Sequence, residues 1–259
     1  MSFNSQRIRR IRRLARDAEV RESEGLFVVE GPRLVEEAID ASLKIDEVIL
    51  PEDQLDHELI TVLSEEKIQF HLVARKIFDG LTTLRNPQAA IALVHQHGLE
   101  LDDLVQRKGL LLVLSGVSHP GNCGNLTRTA EAFGASGVLF HGGVDPYNPK
   151  VVRSSAGSFF RMRFAVLEER FPYNKLFEEL KKSDYKSVAT APSGGIAPED
   201  VAENSRIAVI LGNEPRGLPK KIEALCDDIV TVPIEDTVES LNVATAGAVI
   251  LYGIKRSLI

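Results

Sequence analysis

The sequence is poor in cysteine and lacks the common metal-binding patterns. Its two cysteines, Cys123 and Cys226, belong to no Cys-x-x-Cys pair and to no Cys/His spacing of the kind that structural zinc requires. The six histidines include no His-Glu-x-x-His sequence, so the pattern of a catalytic zinc site is missing as well. We therefore expect reduced thiols and neither a structural nor a catalytic metal.

Long apolar runs are also missing. The longest, from Leu241 to Ile254, contains Asn242 and Thr245 and falls short of the roughly 20 residues that cross a bilayer. The arginines near the N-terminus are not followed by the apolar segment and small-residue cleavage site of a secretory signal. With 44% hydrophobic and 26% charged residues among 259, the composition instead predicts a folded cytoplasmic protein of one or two domains, without a membrane span.

Acidic residues are absent from residues 1–16, which carry six arginines. The net charge of −6 includes those six positive charges, so the remainder of the chain carries −12. A basic segment on an acidic protein favours contact with a polyanion such as RNA. The alternative is a solvated helix whose arginines pair with Asp17, Glu19, Glu22 and Glu24. The candidates for RNA binding are Arg7, Arg9, Arg10, Arg12, Arg13 and, further along, Arg33.

Two common nucleotide-binding motifs are missing too. The sequence contains no Gly-x-Gly-x-x-Gly after a strand and no glycine-rich phosphate loop that ends in Lys-Ser or Lys-Thr. The glycines within residues 120–125 do not have the required spacing. A dehydrogenase or a P-loop enzyme therefore has no support in the sequence.

What the sequence does contain is an alternation of short apolar strands and amphipathic helices. This alternation predicts an N-terminal α/β domain of residues 1–97, followed by a polar linker of residues 98–108. Residues 109–259 then form a second domain. Its apolar strands are separated by helical patterns, which favours a parallel sheet covered on both faces.

Three segments rich in polar and turn residues directly follow apolar strands of the second domain, where open α/β sheets bind their ligands. The first, residues 119–128, brings Asn122 to the start of a helix and Arg128 onto the same helix. Arg128 suits a phosphate or carboxylate ligand, or a structural ion pair with Glu131.

The second and third segments are residues 212–219 and 232–248. The glycines and prolines of the second let the main chain approach a flat ligand, although any strand-to-helix turn can contain them. In the third, Ser240 is the expected N-cap of a helix with small residues on one face. A buried core helix is the alternative, but it leaves Ser240 and Asn242 at the helix start unexplained.

Together these segments resemble the three motifs of the SpoU (TrmH) family of RNA ribose 2′-O-methyltransferases. The matching residues are Asn122-x-Gly124-x-x-x-Arg128-Thr-Ala, Leu211-Gly-Asn-Glu214-Pro-x-Gly217 and Val232-Pro-Ile-x(5)-Ser240-Leu-Asn242-Val. Residues 24–33 resemble part of the family's N-terminal substrate-binding domain, so the resemblance covers nearly the whole chain. His119 departs from the family's pattern, which more often has an acidic or amide residue before the proline.

The resemblance implies a SPOUT-type parallel-sheet domain with a deep C-terminal trefoil knot, preceded by a smaller, ribosomal-protein-like α/β domain. It also implies S-adenosylmethionine as cofactor, RNA as substrate and a homodimer with the active site between its chains. By motif position, the catalytic residues are Asn122, Arg128, Glu214, Ser240 and Asn242. The cofactor-binding residues are Gly212, Asn213, Gly217, Val232, Ile234 and Leu241.

The expected reaction transfers a methyl group from a sulfonium to a ribose 2′-hydroxyl and needs no metal. The protein must position the reactants and help to remove one proton. Because an arginine side chain keeps its proton, we favour Arg128 as a clamp on the target phosphate and ribose over Arg128 as the base. Glu214 is expected to orient Arg128 or a loop of the partner chain, while Ser240 and Asn242 bind the nucleotide or fix the cofactor loop.

The separate N-terminal domain favours large-subunit ribosomal RNA as substrate. The alternatives are a tRNA 2′-O-methyltransferase, an enzyme of the same fold that methylates a base, and a non-catalytic RNA-binding or ribosome-assembly protein. The methylated nucleotide and a role in antibiotic resistance stay open at this point.

Overall fold

The computed structural model describes residues 5–53, 57–84, 86–87, 89–201, 206–214, 216–235 and 237–257. The described residues form two compact units. The first contains those up to His97 together with Tyr147–Arg161, and the second contains those of Gly98–Pro146 and from Met162 onward. The chain therefore passes between the units three times.

The first unit is a four-stranded sheet with helices. Its strand order is β1-β4-β2-β3, in which β4 runs antiparallel to β1 and β2 while β3 runs parallel to β2. Ile11 and Leu14 of the first helix are completely buried in the core of this unit, because they lie three residues apart on one helix face. The elements are α1 (Ser5–Arg16), α2 (Ala18–Glu24), β1 (Leu26–Glu30), α3 (Pro32–Asp40), β2 (Ile45–Pro51), α4 (His57–Glu65), β3 (Phe70–Val73), α5 (Arg75–Asp79) and β4 (Ile91–His95).

Further along the chain, the elements alternate as a parallel sheet requires. They are α6 (Leu101–Val105), β5 (Gly109–Ser115), α7 (Pro120–Ala132), β6 (Gly137–His141), α8 (Pro149–Ser154), α9 (Ser158–Arg161), β7 (Phe164–Leu167), α10 (Tyr173–Lys182), β8 (Lys186–Thr190), a 3₁₀ turn (Pro198–Asp200), β9 (Arg206–Leu211), α11 (Lys220–Glu223), β10 (Asp228–Val230) and α12 (Val243–Ser257).

The sheet of the second unit has the order β10-β8-β9-β5-β6-β7, and each neighbouring pair is parallel. Residues 110–114 of β5, at its centre, are all apolar and buried, as in sheets that helices cover on both faces. The prediction of a parallel α/β sheet is confirmed. Since every strand points the same way, all the carboxyl ends lie at one edge.

The expected linker, residues 98–108, instead contains α6. Leu101, Leu104 and Val105 of this helix are buried in the core of the second unit, because they share one helix face. The polar residues between them, such as Asp102, are exposed. These polar residues made the segment resemble a linker in the sequence.

Helices α8 and α9 belong to the first unit, although the second domain was expected to contain residues 109–259 without interruption. The ring of Phe27 on β1 lies 5.4 Å from that of Tyr147 and 6.0 Å from that of Phe159, between centroids. Arg153 forms an ion pair of 3.3 Å with the buried Glu30. Apolar side chains predict that a segment is buried, but not which of two sheets it covers.

The C-terminal helix packs closely against the second sheet. A Cβ atom at Gly247 of α12 would lie 2.4 Å from a methyl carbon of Leu126 and 2.9 Å from one of Leu211, so a larger residue there would displace both leucine side chains. Helix α12 also contacts the 3₁₀ turn at Pro198–Asp200. The trefoil knot stays a prediction. Among the helices of the described ranges, none has the length and apolar character needed to cross a membrane.

Candidate active site

The three polar segments follow β5, β9 and β10, whose carboxyl ends lie at the same edge of the parallel sheet. This is the edge at which open α/β sheets bind ligands. Short turns leave β5 and β9, and a longer segment leads from β10 to α12. The sheet therefore brings segments separated by about a hundred residues to one place.

The carboxylate of Glu214 joins the turn after β9 to the turn after β5. Its Oε2 accepts hydrogen bonds of 3.0 Å from both the main-chain N–H and the hydroxyl of Ser118. Its Oε1 accepts bonds of 3.0 Å from the His119 N–H and 3.1 Å from the Asn122 side-chain amide. Four donors from one turn thus bind a single carboxylate.

These hydrogen bonds decide the protonation state of Glu214. Partial burial acts to raise the pKa of its carboxyl, but the donors from Ser118, Asn122 and His119 outweigh burial and lower the pKa to about 2. A carboxylate of such low basicity, with both oxygens engaged, is a poor proton acceptor near neutral pH. Among the described residues its partners do not include Arg128, so the geometry favours an anchor between two loops over the expected role in orienting Arg128.

Asn122 connects this anchor to the third segment. While its Nδ2 donates to Glu214, its Oδ1 accepts a hydrogen bond of 3.3 Å from the side-chain amide of Asn242. The Oδ1 of Asn242 in turn accepts a bond of 2.9 Å from the Ala244 N–H. The chain Glu214–Asn122–Asn242 therefore joins all three predicted segments.

Asn242 also corrects the expected start of the last helix. Because Asn242 accepts from the N–H of Ala244 and α12 begins at Val243, Asn242 caps the helix and Ser240 does not. Ser240 is exposed and makes no hydrogen bond with any other residue that the structure describes. Both polar side chains precede the apolar face, so spacing alone did not separate them.

Arg128 lies on α7 with an exposed side chain. Within the described part of the chain it forms no ion pair and no hydrogen bond, so the alternative of a structural pair with Glu131 is not observed. An exposed cation on the helix that begins the site is free to bind an external anion.

The loop after β9 is closed on itself by glycines. A Cβ atom at Gly212 would lie 2.4 Å from both the Gly217 carbonyl carbon and the Leu218 nitrogen, and Gly217 has a φ of +63°. The Gly217 N–H donates to the Asn213 carbonyl at 2.8 Å, and the Asn213 amide donates to the Gly116 carbonyl at 2.8 Å. The bond between Gly217 and Asn213 thus closes the loop, and the Asn213 side chain fixes it against the end of β5.

The segment after β10 presents groups suited to an adenosine. Val232, Ile234 and Leu241 are half-buried, so apolar surface is exposed along this stretch. Between residues 232 and 241, the Val238 N–H donates a main-chain hydrogen bond. The other N–H groups that the structure describes in this stretch donate to no described residue. Apolar side chains combined with unused main-chain donors and acceptors are the usual lining of a cofactor site, and they fit S-adenosylmethionine.

The arginine candidates of the first unit differ in their surroundings. Arg7 pairs with Glu47 at 3.1 Å, Arg10 pairs with Glu24 at 2.6 Å, and the Nε of Arg12 donates to the Gly80 carbonyl at 2.7 Å. These contacts hold α1 against the rest of the first unit. The pair of Arg10 with Glu24 is one that the ion-pairing alternative predicted. Arg9, Arg13 and Arg33 are exposed, and in the described ranges Arg13 and Arg33 have no ion-pair partner.

The sequence alone did not single out Ser118, which supplies two of the four donors to Glu214. Ser118 lies three residues beyond the end of β5, and a polar residue in the loop after a central parallel strand is the signal that could have found it.

Both parts of the chain match known families. Residues 109–252 match the SpoU rRNA Methylase family, and residues 5–92 match the MRM3-like substrate binding domain. A 23S rRNA (guanosine(2553)-2′-O)-methyltransferase, RlmP of Bacillus subtilis, is 31% identical over 230 residues, which are 88% of each chain. A 23S rRNA (uridine(2479)-2′-O)-methyltransferase of Streptomyces viridochromogenes is 32% identical over 177 residues, covering 67% of this chain and 62% of that one.

Solved structures agree with the sequence relatives. The SpoU methyltransferase AviRb from Streptomyces viridochromogenes, in complex with AdoMet, has a TM-score of 0.88 and 25% identity, with 98% of each chain covered. An AdoMet-bound rRNA methyltransferase from Sinorhizobium meliloti has a TM-score of 0.87 and 26% identity, covering 100% of this chain and 97% of that one.

The fold and its edge of three joined loops define an S-adenosylmethionine-dependent methyltransferase of the SPOUT type. The chain belongs to the SpoU rRNA Methylase family, as its motifs led us to expect. It is accordingly an RNA 2′-O-ribose methyltransferase.

Proposed function

We propose that the protein methylates a ribose 2′-hydroxyl of 23S ribosomal RNA in the cytoplasm. The chain of hydrogen bonds Glu214–Asn122–Asn242 carries the proposal, because it joins the three segments that the family's chemistry requires. The relatives named above act on 23S rRNA, and they match this chain across both of its units.

The cofactor is held by the loops after β9 and β10. Gly212, Asn213 and Gly217 form a closed turn. Val232, Ile234 and Leu241 offer apolar contact beside main-chain amides that donate no hydrogen bond to another described residue. When bound, S-adenosylmethionine supplies an electrophilic methyl group on its sulfonium. The residues of these loops bind the cofactor and orient its methyl group toward the ribose, and methyl transfer needs no redox or metal chemistry from them.

The RNA is held from the other side of the same edge. Arg128 clamps the phosphate next to the target ribose, because its guanidinium is exposed and has no partner among the residues that the structure describes. Glu214 holds the turn that begins α7 and thereby sets the position of Asn122. Asn242 fixes the start of α12, which leaves Ser240 at the mouth of the segment as a hydrogen-bonding group for the nucleotide.

A homodimer completes this arrangement. Val249 and Tyr252 on α12 are 41% and 53% exposed, an apolar surface on the helix that Asn242 begins. Exposed apolar side chains on a helix next to a site mark a surface for another chain. The first unit also binds the RNA, through the exposed Arg9, Arg13 and Arg33 on its surface.

The test is methyl transfer from labelled S-adenosylmethionine to unmodified 23S rRNA, with primer extension at low dNTP to map the product. A new stop at one position is expected with 23S rRNA and none with tRNA. Incorporation into tRNA alone, or into a base, would replace the substrate assignment. Calorimetric titration that detects no S-adenosylmethionine binding would support the non-catalytic alternative instead.

A further inference from the structure

A row of cations lies at the edge opposite the candidate active site. Lys108 directly precedes β5, Arg163 directly precedes β7, Lys186 begins β8 and Arg206 begins β9. Because these strands are parallel members of one sheet, the four residues lie along its amino edge. At the β8 end of this row Lys186 pairs with Asp228 at 2.5 Å, whereas Lys108 and Arg163 have no ion-pair partner among the described residues.

Part of this row surrounds a cavity of about 650 Å³. Arg107, Lys108 and Arg163 are exposed at its rim, and none of the three has an ion-pair or hydrogen-bond partner for its side chain in the described residues. Asp103 is the single acidic residue among those that line it. Uncompensated cations around a concave surface create a field that attracts anions.

The turn that carries two of these cations is held rigidly. Arg206 donates hydrogen bonds to the main-chain carbonyls of Ser183 and Gln106, and its guanidinium lies 5.9 Å from the ring centroid of Tyr185. The hydroxyl of Tyr185 donates to the carbonyl of Arg107. Arg206 and Tyr185 therefore hold the main chain of residues 106–108 in place. Because this turn is already ordered in the free protein, a ligand of Arg107 and Lys108 loses no binding free energy to ordering it.

We propose that Arg107, Lys108 and Arg163 bind phosphate groups of the RNA substrate at a second contact, remote from the reacting ribose. This inference rests on the RNA substrate proposed above. The seven residues of β5 separate the two edges of the sheet by about 23 Å at the usual rise per residue. An RNA that contacts both edges must therefore extend at least this far beyond the reacting ribose, and the second contact supplies affinity and orientation without reading a base.

The experiment compares two triple variants with equal loss of charge. The first combines Arg107→Gln, Lys108→Gln and Arg163→Gln. The control combines Arg170→Gln, Lys182→Gln and Lys220→Gln, whose cations are already paired with Glu168, Glu179 and Glu223. Binding to an unmodified 23S rRNA transcript is measured between 50 and 200 mM salt, together with kcat and KM for methylation.

The first triple variant is expected to reduce the slope of log affinity against log salt by about two to three and to weaken binding at low salt roughly tenfold. The control should change the slope by less than about one. KM for 23S rRNA should rise with kcat unchanged, whereas KM for the shortest transcript that is still methylated should stay equal to that of the wild type. The affinity for S-adenosylmethionine, measured by calorimetry, should be the same in all three proteins.

Equal salt slopes for the wild type and the first triple variant would overturn this inference while leaving the proposed function intact. A wild-type protein that methylates no RNA would overturn the proposed function instead. If the triple variant fails to fold, Lys108→Gln alone, at an exposed position, must still reduce the slope by about one. An unchanged slope in that single variant counts against the second contact.

Discussion

The side-chain amide of Asn122 donates a hydrogen bond of 3.1 Å to the carboxylate of Glu214, 92 positions away in the sequence. The same Asn122 side chain accepts from Asn242, so a change in one loop is transmitted to the other two.

Glu214→Gln is expected to lower the free energy of unfolding by about 1–3 kcal/mol. The NH2 group of the glutamine would face the N–H of Ser118 or of His119, which then loses its hydrogen-bond acceptor. Methyl transfer should slow at least about tenfold, since the turn that positions Asn122 is loosened. Urea denaturation and single-turnover methylation measure the two effects. Glu178→Gln, at an exposed position of α10, serves as the control, and equal behaviour of the two variants would contradict the anchor role.

Acid should weaken the protein through the same carboxylate. The pKa of Glu214 is lowered to about 2 in the folded chain from its ordinary value of 4.5. The stabilisation is therefore fully present above pH 4.5 and is lost as the pH falls from 4.5 toward 2. Unfolding measured from pH 6 to pH 3 should show a steeper loss in the wild type than in Glu214→Gln. Parallel curves for the two proteins would exclude this contribution.

Arg128→Ala should reduce methyl transfer by about a hundredfold or more, in line with the loss of a positioned charge in the transition state. Its effect on stability should stay within about 0.5 kcal/mol, because the side chain is exposed and has no internal partner in the described ranges. Arg128→Lys should recover only part of the rate, since an ammonium lacks the two-pronged geometry. A near wild-type rate in Arg128→Ala would rule out the clamp.

Gly212→Ala should abolish detectable S-adenosylmethionine binding. The added methyl group would lie 2.4 Å from the main chain at Gly217 and Leu218, and main chain cannot swing aside as a flexible side chain can. Gly194→Ala, where nothing lies within 4 Å of the added atom, shows the cost of a glycine replacement in an exposed turn of the same unit. Calorimetric titration of both variants measures the affinity, and tight binding by Gly212→Ala would remove this loop from the cofactor site.

Phe27→Ala should cost about 3–5 kcal/mol, because Phe27 is completely buried among the rings of Tyr147, Phe159 and Phe160. Hydrogen exchange of residues 149–161 should accelerate as strongly as that of β1, since these segments share one core. Val166→Ala, a 47% exposed position on β7, is the matched control. Unchanged exchange in residues 149–161 would mean that α8 and α9 do not depend on the first unit.

Much of the second unit could be predicted from local patterns. Apolar runs such as residues 110–114 are nearly uninterrupted, and the helices between them have their own periodicity, so a parallel sheet follows. The three ligand segments were predictable for the same reason, because parallel strands carry their functional loops at one edge. The motif residues then named the candidates Asn122, Glu214 and Asn242.

Hydrogen bonds between loops that are far apart in the chain could not be predicted from the sequence. That Glu214 binds Ser118 and His119, and not Arg128, depends on loop conformations that no local pattern encodes. Polar residues such as those of α6 resemble a linker until the apolar positions Leu101 and Leu104 are seen on one buried face. The sequence leaves open whether the arginines of α1 bind RNA or pair with nearby acids. The choice depends on which helix face each arginine occupies, and Arg10 pairs with Glu24.

The three passages of the chain between units impose an order on biosynthesis. Because Phe159 and Phe160 complete the core around Phe27, the N-terminal sheet cannot finish folding while the ribosome has delivered only its own strands. At ordinary elongation rates of about 5–20 residues per second, the nascent sheet waits several seconds for the segment that closes it. During that interval chaperones can bind the apolar side of β1, and we expect a polypeptide truncated before Phe159 to keep this side uncovered.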